Sequence, residues 1–312
     1  MKIVFFGTSD FAVSALRALH LSKHQILSVV TAKDRARGRG LSLTASAVKV
    51  FAQEKGLALL QPANLRDADF IRSLQKAQAE LFVVAAYGQI LTKEILQIPA
   101  NYAINLHASL LPKYRGAAPI NWAIIKGEKE SGVTIFKMNE YMDKGEMILQ
   151  KKTTILASDT AVSLTEKLAK IGAEAVVETV DLISGGRAKL IAQDEAQVSF
   201  APKLKKEDGR IDWRSSALEI HNRIRGLQPW PGAFTYFEHK LLKIWTSEVI
   251  ESKKDKFPGE ITAVEKKGIL VQTGKSKLLL TVVQLEGKKK MPANEFILGY
   301  KIRIGMKLGN VK

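Results

Sequence analysis

The chain has 312 residues, 46% of them hydrophobic and 25% charged, with no cysteine. That is the balance of an ordinary soluble protein with room for one large core or two smaller ones. The missing cysteines exclude a disulfide framework, a thiolate metal site and a thiol nucleophile. No apolar run is long enough to cross a bilayer, and the apolar start meets Gly7 too early for a signal peptide, so a cytoplasmic protein is expected. Lys and Arg number 48 against 31 Asp and Glu, for a net charge of +17. Residues 205–312 hold 22 basic and 12 acidic residues, a surplus of ten in a third of the chain. Such asymmetry predicts a polyanionic partner, most simply a nucleic acid, held partly by the C-terminal region.

In chain order, residues 2–6 read as a strand, Gly7-Thr-Ser-Asp10 as a tight turn and residues 11–20 as a helix, the opening of an α/β sheet. Gly7 alone stands where a dinucleotide fingerprint needs three glycines, which argues against a nicotinamide or flavin site. His20 and His24 fall at the helix's C-terminal end, where the helix dipole favours them. A second strand at 26–31 runs into a basic loop, 32–41, carrying Lys33, Arg35, Arg37 and Arg39 among glycines. Its guanidinium groups suit phosphates or unpaired bases, though a solvated surface loop has the same composition. Residues 45–55 read as helix, 57–61 as strand and 67–77 as helix. The unbroken apolar run 81–86 predicts a central strand covered on both faces. It leads into Tyr87-Gly88-Gln-Ile90-Leu91-Thr92, a turn that either grips a flat aromatic ligand through backbone groups, Ile90 and Leu91 or merely packs.

The stretch 102–119 is the most informative. It begins as a buried strand that puts Asn105 and His107 on one face, because strand side chains alternate with period two. Pro112, Gly116 and Pro119 then force a loop. A carboxamide and an imidazole at a strand's C-terminal end suit the ligand crevice of an open α/β sheet. Both can donate hydrogen bonds to an oxygen that gains negative charge in acyl-type transfer. Asp143 is the third candidate: a loop carboxylate can orient His107 or take a proton from an attacking nucleophile through water. Read by itself, an Asp before Lys-Gly is most often a turn residue. No HExxH, carboxylate cluster or Walker loop is present, so neither a metal nor nucleotide hydrolysis is expected.

Residues 118–126 read as helix, 132–138 and 147–155 as strands, and 162–183 as a long amphipathic helix. Gly185, Gly186 and the polar stretch from Gln193 to Asp208 read as a boundary. Beyond it come a helix at 218–225, a rigid aromatic turn at 229–232 and short strands at 241–245, 259–264, 268–273, 277–283 and 300–304. That spacing predicts a small β-barrel of the oligonucleotide-binding (OB-like) kind. The expected architecture is therefore α/β. A Rossmann-like, open, mostly parallel sheet with helices on both faces fills 1–190, a linker fills 191–208, and the barrel fills 209–312.

Asn105-Leu-His107, Ser109-Leu-Leu-Pro112, Tyr114-Arg-Gly116 and Met142-Asp-Lys-Gly-Glu-Met147 together resemble the formyltransferases that use 10-formyltetrahydrofolate. Asp34-Arg-x-Arg-Gly-Arg-Gly40, Ala85-Ala-Tyr-Gly-x-Ile-Leu91, Ile211-Asp-Trp213 and Pro229-Trp-Pro231 are similar to the branch acting on charged initiator tRNA. The likeness runs from Met1 to about Gly309. Two small departures, Ala108 for a more usual Gly and Glu146 for a more usual Asp, leave the three polar side chains untouched. The resemblance implies that the methionyl amine of initiator tRNA attacks the formyl carbon directly, without an acyl-enzyme. Asn105 and His107 would bond the formyl oxygen, and Asp143 would position His107 and help the amine lose its proton. It also implies folate contacts at Ser109, Leu110, Leu111, Pro112, Tyr87, Gly88, Ile90 and Leu91. The tRNA acceptor stem and 3′ end would meet Arg35, Arg37, Arg39, Lys205 and Lys206, with no metal, no membrane and a monomeric enzyme. The rivals are a formyltransferase acting on a nucleotide-linked amino sugar, one acting on glycinamide ribonucleotide, and a non-catalytic tRNA-binding protein. The first two leave the basic C-terminal third without a task, and the third leaves Asn105, His107 and Asp143 without one.

Overall fold

The computed structural model describes residues 1–37, 42–253 and 255–309. The chain divides into two compact units, one of residues 1–119, 130–154 and 165–201, the other of residues 120–129, 155–164 and 202–312.

The first unit contains β1 (Lys2–Gly7), α1 (Asp10–His20), β2 (Gln25–Val30), β3 (Arg35–Arg37), β4 (Ser42–Thr44), α2 (Ala47–Glu54), β5 (Leu59–Leu60), α3 (Ala68–Lys76), β6 (Leu81–Ala85), α4 (Lys93–Leu96) and β7 (Tyr102–His107). After α5 (Pro119–Ile125) it resumes with β8 (Glu130–Lys137), β9 (Met147–Thr154) and α6 (Ala161–Ser184), the last belonging to it from Thr165. Seven strands form one sheet in the order β5-β2-β1-β6-β7-β8-β9, parallel through β7 and antiparallel for the final two pairings. Every residue of β6 is buried, as its unbroken apolar run predicts for a strand covered on both sides. On one face Val4, Phe6, Phe82, Val84 and Ala103 pack with Phe70 and Leu74 of α3, Ile95 of α4, Tyr87 and Leu91. On the other, a side chain at Gly172 of α6 would lie 2.9 Å from Leu106, so the glycine lets the helix settle onto β7. Capping follows the sequence: Ser46 accepts from Lys49 N–H, and Asp67 accepts from Asp69 and Phe70 N–H.

Two expectations change here. The basic segment after β2 is a short hairpin, β3 pairing antiparallel with β4, because Arg-Ala-Arg and Ser-Leu-Thr can alternate as strands while the glycines lie between them. Its base is pinned by Asp34, which takes hydrogen bonds from Lys49 at 2.7 Å and Gln61 at 3.1 Å. His24, expected as a dipole partner of α1, is buried with Nε2 3.3 Å from Asp181.

The second unit carries α7 (Ala217–Gly226), β10 (Ala233–Phe237), β11 (Lys240–Ile250), β12 (Ile261–Glu265), β13 (Gly268–Gln272), β14 (Lys277–Leu285), β15 (Met291–Pro292) and α8 (Ala293–Tyr300). The strands make a six-stranded antiparallel sheet in the order β10-β11-β14-β13-β12, with β15 added to β14. Two register shifts in β11, flanking Thr246, mark where the long strand bends. The strand expected at 300–304 is absent: α8 ends at Tyr300 and Lys301 takes a left-handed conformation. Alternation in Tyr-Lys-Ile-Arg-Ile imitated a strand. The helix before it escaped notice because Gly299 breaks its apolar pattern, yet Phe296 is fully buried and stacks on Tyr300 at 4.5 Å.

His221 on α7 gives this unit an acid sensitivity. Its Nδ1 lies 3.0 Å from Ser247 Oγ, and burial, aided by the charge of Arg225, holds the imidazole down at about 4. Above the ordinary histidine value of 6.5 both folded and unfolded chains carry it neutral. As pH falls from there towards 4, the unfolded chain takes up a proton that the folded chain refuses, so stability falls, by roughly 2 kcal/mol after allowing for partial exposure. All four tryptophans (Trp122, Trp213, Trp230, Trp245) belong to this unit, so their fluorescence reports its unfolding. His221→Asn keeps a polar atom near Ser247 and should flatten the fall in urea midpoint between pH 7 and pH 5. An unchanged slope would place the sensitivity elsewhere.

Candidate active site

Parallel pairing of Val84 with Asn105 puts Asn105 on the face that carries Val4, Phe6 and Phe82, and His107 follows two residues later. The two polar side chains thus continue an apolar face past its last core residue, at the C-terminal edge of the parallel strands. His107 is 6% exposed. Asn105 is half-buried, and its carboxamide has no hydrogen-bond partner among the described residues.

The His107 tautomer follows from its contacts. Nε2 lies 2.9 Å from the carbonyl oxygen of Tyr114, and a carbonyl only accepts, so Nε2 carries the proton. Nδ1 then faces Asp143, whose Oδ2 is 3.6 Å away. That same Oδ2 accepts the Gly116 N–H at 2.8 Å. Tyr114 (φ 63°) and Asp143 (φ 53°) both occupy the left-handed region, a conformation that persists only when the surroundings hold it. The surroundings do. Tyr114 N–H donates to Ser199 Oγ at 3.0 Å, Arg115 N–H to Ser199 O at 2.9 Å, and Ala201 N–H to Arg115 O at 2.7 Å. Gly116 (φ 124°) sits so close to this rung that a side chain would lie 2.7 Å from Ala201 O.

A second layer surrounds Asp143. Gln193 Nε2 donates to the carbonyls of Asp143 at 2.9 Å and Gly145 at 2.8 Å. Gln193 Oε1 accepts from Arg115 Nε at 3.0 Å and Nη2 at 2.8 Å. The Arg115 guanidinium, only 4% exposed, also pairs with Glu195 at 2.9 Å and holds that carboxyl below its usual range. None of these residues stood out as a site residue in the sequence, because Gln193 and Glu195 lie in a polar stretch that reads as linker.

The folate candidates separate into two groups. Tyr87 and Leu91 are core residues: the Tyr87 ring meets Phe6 edge-on at 5.6 Å, its hydroxyl is buried without a partner, and burial pushes that hydroxyl up to about 12. Ser109 and Leu111 are also buried, with Ser109 Oγ donating to Lys113 O and the Leu111 backbone tied to Thr134 and Gln150. These four can therefore shape a pocket and offer backbone groups rather than side chains. Gly88 is in the left-handed region, and Leu110 and Pro112 are half-buried. Ile90 is 78% exposed, as are Tyr141 at 69% and Met142 at 65% on the loop before Asp143. Lys93 and Glu140, 3.0 Å apart, link the segments that carry them. Exposed apolar side chains and an unpartnered carboxamide are the kinds of group that a flat heteroaromatic ligand with polar edges requires.

Of the basic candidates, Arg35 and Arg37 lie in β3, while Arg39 falls outside the described residues. Lys205 and Lys206 are exposed in the second unit, at the start of a short turn of helix. Among the described residues no group of His, Asp or Glu is placed to hold a metal ion, and no helix is long and apolar enough to cross a membrane.

The formyl transferase family matches residues 1–180, and the formyl transferase C-terminal domain family matches residues 203–301. A methionyl-tRNA formyltransferase of Desulfotalea psychrophila is 46% identical over 97% of this chain and 94% of its own length. One from Caldanaerobacter subterraneus is 44% identical over 98% and 99%. Among solved structures, the sugar 3N-formyl transferase WlaRD shares the fold at a TM-score of 0.68 and 21% identity, covering 93% of this chain and 99% of that one. HypX from Aquifex aeolicus, solved with tetrahydrofolic acid, gives 0.64 and 18%, covering 95% of this chain and 47% of its own. With both family regions matched and relatives alike along almost their whole length, the chain belongs to the formyl transferase family.

Proposed function

We propose that this protein transfers the formyl group of 10-formyltetrahydrofolate to the amino group of methionyl-initiator tRNA, as a cytoplasmic monomer. The observation that carries the reading is the convergence of Asn105, His107 and Asp143 at one strand end, on a chain with 44–46% identity to methionyl-tRNA formyltransferases. Asn105 donates its free amide N–H to the formyl oxygen as that oxygen becomes anionic. His107 joins it from Nδ1, since Nε2 is committed to Tyr114, and donation there needs a proton on Nδ1 as well. The amine attacks in its neutral form; Asp143 takes the proton that its nitrogen then sheds, directly or through water, and the folate nitrogen leaves with the electron pair of the broken C–N bond and receives that proton in turn.

Residues 1–190 serve as the transferase part, with folate against Tyr87, Gly88, Ile90, Leu91 and Ser109 to Pro112. Residues 209–312, with Lys205 and Lys206 before them, serve the acceptor arm of the tRNA. The test is incubation with 10-formyltetrahydrofolate and a mixed aminoacyl-tRNA pool, asking which amino acid gains the formyl group. Formylation of a nucleotide-linked amino sugar, with none on methionine, would replace this reading.

The hairpin of β3 and β4 carries a prediction of its own. If Arg39 meets the 3′ end, Arg39→Ala lowers kcat/KM for charged tRNA and leaves folate affinity unchanged. Removing several C-terminal lysines acts differently, weakening tRNA binding and flattening its salt dependence by a slope of roughly 0.7–0.9 for each phosphate no longer neutralised. Kinetics with initiator and elongator methionyl-tRNA, with binding measured across salt, distinguish the two. Wild-type rates on both tRNAs for Arg39→Ala would reduce this basic segment to solvated surface.

A further inference from the structure

Three consecutive residues, Tyr114, Arg115 and Gly116, touch both halves of the His107–Asp143 pair. The carbonyl of Tyr114 accepts from His107, and the N–H of Gly116 donates to the Asp143 carboxylate. The Arg115 side chain turns inward and is nine-tenths buried, so it needs partners that satisfy its donors. It finds them in Gln193 and Glu195. Gln193 in turn spends both amide hydrogens on the backbone of the Asp143 loop, one on each side of Lys144. Every donor and acceptor of this carboxamide is used, and none points at solvent or at a substrate.

We propose that Gln193 is a positioning residue for formyl transfer, acting through Asp143. It couples the loop that fixes the His107 tautomer to the loop that presents the carboxylate. Asp143 sits in a left-handed conformation, and its carboxylate takes its hydrogen bond from the Gly116 N–H, so the clamp on its carbonyl helps set where Oδ2 lies relative to His107 Nδ1. Gly145 cannot help by packing, because its α-carbon already lies against the Lys137 carbonyl, where a side chain would collide. Glu195 adds a looser tie, 3.9 Å from Lys144 on the same loop. A displacement of about 1 Å at a reacting group is enough to cost up to about a hundredfold in rate. The carboxamide of Gln193 has no donor left for a substrate, so substrate binding should be spared.

The test uses the full-length enzyme with 10-formyltetrahydrofolate and methionyl-tRNA. Gln193→Ala should lower kcat by about tenfold or more, with both KM values within about twofold of wild type. Gln193→Glu keeps the size and the bond to Arg115 but turns both donors into acceptors facing carbonyls, and it should be impaired at least as much. In an Asp143→Asn background, Gln193→Ala should cost little more, because what it positions is already gone. Losses that multiply in the double variant, a kcat within twofold of wild type in Gln193→Ala, or unfolding of both single variants would each overturn the proposal. It rests on the formyl-transfer reading, and the two can fail separately. An inactive wild-type protein sinks that reading, whereas an active one with active Gln193 variants sinks only this role.

Discussion

His107→Ala lowers kcat for formyl transfer by about 10²–10³, the usual cost of losing one donor to a developing oxyanion, while the protein still folds. The geometry allows a sharper version. Nε2 is occupied by the Tyr114 carbonyl, so catalysis must run from Nδ1 beside Asp143. His107→Gln offers an amide that can reach the same carbonyl but nothing with Nδ1 chemistry. It should therefore be as inactive as the alanine variant while restoring any stability that alanine loses. Single-turnover rates with saturating folate and methionyl-tRNA measure this. A glutamine variant close to wild-type rate would show that the imidazole is needed only to brace the Tyr114 loop, and the oxyanion role would fall to Asn105 alone.

Asp143→Asn should be impaired to a similar degree, with the loss in kcat rather than in folate affinity. The substitution is nearly isosteric, and an asparagine oxygen can still accept the Gly116 N–H, so the loop keeps its shape. What disappears is the negative charge 3.6 Å from Nδ1, and with it the acceptor we propose for the amine's proton. The measurement is kcat as a function of pH for wild type and variant. If the profiles and rates coincide, Asp143 does no chemistry and its left-handed conformation serves only the turn.

The two catalytic candidates of β7 were legible in the sequence, whereas their link to Asp143 was not. The β7 pattern placed Asn105 and His107 on one face from sequence alone, since period-two alternation in a strand is a local property. The buried run of β6 and the opening strand–turn–helix were legible for the same reason: each depends on neighbours within a few residues. The basic surplus of the C-terminal third needed no structure at all. Local alternation also misled, at 300–304, where a helix end and a turn carry the same pattern.

Only the tertiary structure decided how the site is held. Asp143 comes within 3.6 Å of His107 across 36 residues because β8 pairs antiparallel with β7, its last residue Lys137 opposite Ile104, and the loop that follows folds back to the His107 side chain and the Gly116 N–H. No local pattern encodes that return. Gln193, Glu195, Ser199 and Ala201 lie in a stretch whose polarity reads as a linker, yet they bind the loops that carry the catalytic candidates. Their polarity is used inside the fold, where buried Arg115 and the left-handed backbone at Tyr114 and Asp143 need hydrogen-bond partners. A polar residue looks the same in sequence whether water or a buried guanidinium is its partner. Which one it meets is settled between residues nearly eighty positions apart, and those meet only once the sheet has formed.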